Sequence, residues 1–144
     1  MEIDLKQRSA YATWTQVSIR YRDLDPNGHV NNGAVNQYFE DGRVHFRDER
    51  MVSLGDDILT GFAVARFEAD YHAALRYPGI VDVGTVVTRI GNTSYGLGQG
   101  VFLDETCIAT ARVVSVFFDP STGKPTPLPD DLRAVLEVGM VGGC

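Results

Sequence analysis

Asp23-Leu24-Asp25-Pro26-Asn27-Gly28-His29-Val30-Asn31-Asn32 decides how this chain is read. The run packs a carboxylate, an amide and an imidazole into residues that favour tight turns. Just beyond it, Val35, Tyr38, Phe39, Gly42 and Phe46 recur at helical spacing, which predicts a helix from about Asn32 to about Met51. Asn31 or Asn32 can cap that helix. The first N–H groups of a helix have no partner within it, and they sit at the positive end of its dipole. A turn that aims polar side chains at such a point is suited to polarising and attacking a carbonyl group.

Upstream, residues 13–22 alternate. Val17, Ile19 and Tyr21 face one way, and Gln16, Ser18, Arg20 and Arg22 the other, as in a half-buried strand. Downstream, residues 53–61 read as a connecting loop. Residues 62–72 alternate again, with Ala63, Ala65, Phe67, Ala69 and Tyr71 on one face. Residues 80–90 are rich in Val and Thr. Residues 94–103 put Gly96, Gly98 and Gly100 on one face and Tyr95, Leu97, Gln99, Val101 and Leu103 on the other. A bare glycine face admits something bulky, and the buried helix is the expected occupant. Gly33 and Gly42 weaken the helix, which points to close approach of another backbone. Residues 107–118 form the last long strand and residues 129–138 a short terminal helix. Short turns between strands imply antiparallel neighbours. The expected architecture is α+β, an antiparallel sheet with one long helix.

Bulk properties narrow the function. A chain of 144 residues without repeat or linker is read as one domain, residues 1–144. A net charge of −6 argues against nonspecific nucleic-acid binding, which needs excess cations. Cys107 lies in an apolar run and reads as a buried thiol, and Cys144 is the last residue; neither has the basic neighbours of an activated nucleophile. The N-terminus lacks the apolar core of a signal peptide, and no run is long enough to span a bilayer. A cytoplasmic protein without a membrane partner is expected. No spacing suggests zinc, and there is no Gly-x-Ser-x-Gly elbow or phosphate loop, so neither metal nor cofactor is expected.

The pattern Asp-x-Asp-x-x-Gly-His-Val-Asn-Asn, followed by a helix with Tyr38-Phe39-Glu40 and Arg43, resembles the hot-dog-fold acyl-thioesterases. These include the 4-hydroxybenzoyl-CoA thioesterase-like enzymes and the plant acyl-ACP thioesterases. The likeness runs over nearly the whole chain, and residues 122–129 resemble the family's exit from its last strand. It implies a hot-dog fold in which the sheet wraps the long helix. It also implies thioester hydrolysis, with Asp25 as the catalytic carboxylate and a backbone N–H near Asn32 polarising the carbonyl. Asn27 and His29 match positions implicated in the plant enzymes. Glu40 is the candidate for a second class that carries its carboxylate on the helix. Family sites form between subunits that pair sheet edge to sheet edge, so a homodimer or homotetramer is implied.

The chemistry is economical. A thiol of pKa about 8.5 leaves without strong protonation, so one carboxylate and one oxyanion site suffice. Asp25 can deprotonate water or attack directly. His29 can orient the water or hydrogen-bond the carbonyl, and Asn27 can hold Asp25 or the water. Arg89, Arg112 and Lys124 are candidates for the phosphates of coenzyme A, and Tyr38, Phe39, Phe62, Val64 and Phe67 for an apolar acyl pocket. The acidic chain gives no general attraction to an acidic acyl carrier protein, which favours CoA esters as the substrate. The competing readings are an acyl-ACP thioesterase and a non-catalytic acyl-thioester-binding protein in which Asp25 only forms the turn.

Overall fold

In the computed structural model, which describes residues 3–140, five strands form one antiparallel sheet: β1 (Thr13–Ser18), β2 (Phe62–Tyr71), β3 (Ile80–Ile90), β4 (Ser94–Leu103) and β5 (Thr106–Phe117), in the order β1-β3-β4-β5-β2. Helix α1 (Asn32–Arg50) lies across one face. A short α2 (Asp56–Leu59) follows it, and α3 (Asp130–Val138) closes the fold. This is the α+β hot-dog architecture that the sequence implied.

Helix α1 buries Val35, Tyr38, Phe39, Gly42 and Phe46. They pack on Val81, Val83, Val87, Leu97 and Val101 of the central strands, and burying that apolar area is the main force holding helix to sheet. At Gly42 the side chains of β3 and β4 press against the helix and leave no room for a Cβ. A methyl group there would come within 2.6 Å of Val83 Cγ1 and 2.9 Å of Gln99 Nε2. Gly33 has a different reason: its N–H donates to the Asn31 side chain at 2.7 Å, and the sheet does not approach it.

Several expectations change. The glycine face of β4 does not receive α1. A methyl group at Gly98 would strike Leu5, and one at Gly100 would strike Tyr11. The N-terminal segment thus covers the outer face, where Leu5, Ala10, Tyr11, Val86 and Phe102 form a second apolar cluster. The helix instead meets the large residues of β4. Strand β1 stops at Ser18, and Tyr21 sits in a 3-10 turn (Tyr21–Asp23) with 75% of its surface exposed. Residues 53–61 include helical turns. In β2 the alternation breaks at a bulge between Val64 and Arg66; Phe62, Phe67 and Ala69 pack on the core, and Ala63 and Ala65 are exposed. Cys107 is half-buried, and burial pushes its thiol pKa up. Cys144 lies outside the described residues. Among the described residues, no helix is long and apolar enough to cross a membrane.

Gly42→Ala tests the close approach. Alanine favours helix by about 1 kcal/mol, and overpacking costs about 1–3 kcal/mol. Because Val83 is stiff at χ1 and Gln99 is hydrogen-bonded, a net loss of about 1–2 kcal/mol is expected, read as a lower urea midpoint with unchanged slope.

Candidate active site

Asp23 anchors the turn. Its carboxylate is 7% exposed; Oδ2 accepts from the Tyr38 hydroxyl at 2.6 Å and from the Arg20 N–H at 2.9 Å. Its carbonyl oxygen accepts from the Asn31 N–H at 2.8 Å. Burial alone would raise its pKa. The Tyr38 hydroxyl and the Arg20 N–H and guanidinium outweigh that and hold it below the ordinary carboxylate value. Burial and the same hydrogen bond push the Tyr38 hydroxyl up.

Between the anchor and the helix, the turn is closed by Gly28 N–H on Asp25 O at 3.0 Å and Asp25 N–H on His29 O at 2.8 Å. Gly28 has φ 80°, a region that favours glycine. Asp25 Oδ1 accepts from the N–H groups of Asn27 at 2.9 Å and His29 at 3.2 Å. Among the described residues, Oδ2 has no hydrogen-bond partner. Asn31 is the cap, so the choice between Asn31 and Asn32 is resolved. That leaves the Asn32 N–H, at the head of α1, without a partner among the described residues.

Asp25, His29 and Asn32 line one cavity of about 370 Å³, with Val35, Tyr71, His72, Leu75 and Ile108. Asn27 is not brought to it; its side chain is exposed, and its N–H is what holds Asp25. Glu40 is about 12 Å farther along α1 and lines a second cavity with Arg43 and Arg47. Of the residues expected in the acyl pocket, Tyr38 and Phe39 are fully buried core, Phe67 packs edge-on against Phe39, and Phe62 and Val64 line that second cavity. Tyr71 and His72 were not singled out by the sequence. Tyr71 donates to Asn36 at 2.6 Å, and His72 Nε2 lies 2.9 Å from Thr110 Oγ1. Only the way β2 runs beside α1 places them at Asp25.

On the opposite face of the sheet, Arg89 and Arg112 border one shallow cavity together with Arg66. Glu68 pairs with Arg66 at 2.9 Å. Lys124 lies apart, in the loop after β5, where its carbonyl accepts from the Asp119 N–H. Among the described residues, no group of three or more His, Cys, Asp or Glu could hold a metal ion.

Asp25, with one carboxylate oxygen unpartnered among the described residues, and Asn32, at the helix head, thus line one cavity. The chain belongs to the thioesterase-like superfamily, whose family profile matches residues 19–136. It is 25% identical to Bacillus subtilis YsmA over 131 residues, 90% of this chain and 88% of that protein. It resembles a predicted thioesterase from Bacillus stearothermophilus at 32% identity, covering 88% of this chain and 95% of that one, with TM-score 0.81. It also resembles a thioesterase from Thermus thermophilus, solved with coenzyme A and zinc, at 30% identity, 89% and 93% coverage and TM-score 0.79. Family and fold together point to thioester hydrolysis.

Tyr38→Phe is expected to cost about 1.5–3 kcal/mol at neutral pH, the range for hydrogen bonds to charged groups. The folded pKa of Asp23 is lowered, so its contribution is present above the unfolded value of about 3.9 and lost as pH falls through the folded value. The gap between wild type and Tyr38→Phe should therefore shrink below about pH 4, measured by urea unfolding at a series of pH values.

Proposed function

We propose that the protein hydrolyses acyl-CoA thioesters to free acid and coenzyme A. The observation that carries this reading is Asp25: two N–H groups hold one carboxylate oxygen, the other has no partner among the described residues, and Asp25 lines the same cavity as Asn32 at the helix head. With the thioester carbonyl oxygen against the Asn32 N–H, the carbonyl carbon comes within reach of Asp25. As a base, Asp25 takes a proton from water, and the resulting hydroxide adds to the carbon. The oxyanion is stabilised at the helix head, the C–S bond breaks, and the thiolate takes up a proton. As a nucleophile, Asp25 attacks the carbonyl carbon, the C–S bond breaks and the thiolate leaves, and water then opens the mixed anhydride at either carbonyl. Heavy oxygen from water found in the Asp25 carboxylate after a single turnover marks the covalent route with attack at the Asp25 carbonyl, and trapping of the anhydride with hydroxylamine marks either. His29 is half-buried and lines the same cavity, which supports a role in orienting the water.

Coenzyme A is favoured over an acyl carrier protein by charge. Arg66, Arg89 and Arg112 form a local basic patch on a chain of net charge −6, which suits phosphates and repels an acidic protein. Crystallisation of the Thermus thermophilus relative with coenzyme A supports this choice. Strand β2 is an unpaired edge with Ala63, Val64 and Tyr71 exposed, and two copies pairing antiparallel along it give a closed two-fold dimer. In that dimer the Tyr71 end of one β2 lies at the Phe62 end of the other, so the Asp25 cavity of one subunit opens beside the Glu40 and Arg43 end of its partner.

Asp25→Asn should lower kcat by a hundredfold or more while the protein stays folded, measured as thiol release from a panel of acyl-CoA esters. Undiminished turnover would remove Asp25 from the mechanism. Arg89→Ala and Arg112→Ala should raise KM several-fold for acyl-CoA and leave KM for acyl-N-acetylcysteamine, which has no nucleotide, unchanged.

A further inference from the structure

The second cavity, about 240 Å³, is not used by the hydrolytic chemistry. Its walls include Phe46, Met51, Leu59, Phe62 and Leu97, and one cation, Arg43, reaches it from inside the fold. Arg43 is held by Gln99, a fully buried amide in the middle of the core. Gln99 Nε2 donates to the Phe39 carbonyl at 2.9 Å and to Thr85 Oγ1 at 3.0 Å. Those two bonds fix the amide so that Oε1 accepts from Arg43 Nη1 at 3.0 Å. The guanidinium also lies 5.5 Å from the centre of the Phe67 ring.

This support orients the cation without neutralising it. Among the described residues, no carboxylate oxygen lies within 4.0 Å of Arg43. Burial disfavours its charged form, against the opposing influence of Glu40 and Tyr95. Glu40 acts on Arg43 through space without forming an ion pair, and Arg47 brings a second, exposed cation to the same cavity, so cations outnumber carboxylates in its lining. A guanidinium has five N–H donors, and Gln99 takes one. The others are not sealed off among the described residues, so they are open to a ligand that enters the cavity. A carboxylate matches the fork of an arginine in shape and charge.

We propose that this cavity receives the far end of the acyl group and selects acyl chains that terminate in a carboxylate, with Arg43 as the specificity-determining residue. The proposal rests on the thioesterase reading and names its substrate class. Within one chain, Asn32 and Arg43 are about 16 Å apart along α1. In the proposed dimer, antiparallel pairing of the β2 edges brings the Tyr71 end of one subunit, where its Asp25 cavity lies, to the Phe62 end of the other, where the second cavity lies. An alkyl tail would fill the apolar walls but strand the remaining N–H donors, and sites built to hydrogen-bond a group discriminate strongly against analogues that lack it.

The test compares kcat/KM for ω-carboxyacyl-CoA esters with that for alkyl acyl-CoA esters of equal length, across a range of lengths. The wild type should favour the carboxylate-ended ester by about tenfold or more at its best length, mostly through KM. Arg43→Met should bring that ratio to near one. Arg43→Lys, which keeps the charge without the fork, should give an intermediate ratio, and it serves alone if Arg43→Met does not fold. A wild type that prefers the alkyl ester at every length overturns the proposal, as does a preference that survives both substitutions. If no CoA ester is hydrolysed, the hydrolase reading fails separately. Calorimetric titration with adipate, suberate and sebacate then decides the pocket: saturable binding weakened by the Arg43 substitutions supports it, and no saturable binding to wild type overturns it.

Discussion

The hydrogen bond between the Tyr38 hydroxyl and the Asp23 carboxylate fastens the turn to the helix it precedes. Tyr38 comes from the buried face of α1, so its position is set by the packing of helix on sheet. Asp23 carries that rigidity back to the chain before the helix, and its carbonyl takes the N–H of the capping residue Asn31. The segment from Asp23 to Asn31 is thus tied at both ends, and Asp25 in its middle cannot drift from the helix head. The catalytic role proposed for Asp25 calls for this kind of support, because small displacements from a productive geometry are expensive in rate.

The sheet divides its two faces by side-chain size. Tyr95, Leu97 and Val101 of β4 join the core under α1, while the glycines between them admit Leu5 and Tyr11 on the other side. Gln99 is the exception on the helix side, a polar amide among apolar neighbours. Its three hydrogen bonds reach a helix carbonyl, a β3 hydroxyl and the Arg43 guanidinium. A buried amide is tolerable only when satisfied in this way, and the result is a cation fixed at the cavity wall. The seam between α1 and the edge strand β2 carries both cavities, one with Asp25 and one with a guanidinium that forms no ion pair among the described residues.

Local pattern made much of this legible. The bounds of α1, β3 and β4 follow from periodicity and turn residues, which act within a few positions. Asp25, His29 and Asn32 were legible as a group because they sit within one turn and the helix start it feeds. Turn chemistry alone did not separate Asp23 from Asp25, since both are good turn formers, and only the family resemblance singled out Asp25; burial against Tyr38 makes Asp23 the anchor. The β2 alternation failed at Ala65 because a bulge is set by the partner strand. The occupant of the glycine face was misassigned for a related reason: a strand pattern shows that a face is bare without showing which distant segment covers it.

The sequence by itself determined the class of fold, the long helix and the turn that brings a carboxylate to its head, because spacing and turn chemistry are local. Only the tertiary structure decided that Asn27 serves through its backbone, that Glu40 and Lys124 stand apart from Asp25 and the arginine patch respectively, and that Tyr71 and His72 border Asp25. It alone placed Arg43 on Gln99, with no ion pair to a carboxylate among the described residues. These are relations between residues far apart in the chain, fixed by strand register and by which side chains the core has room to bury.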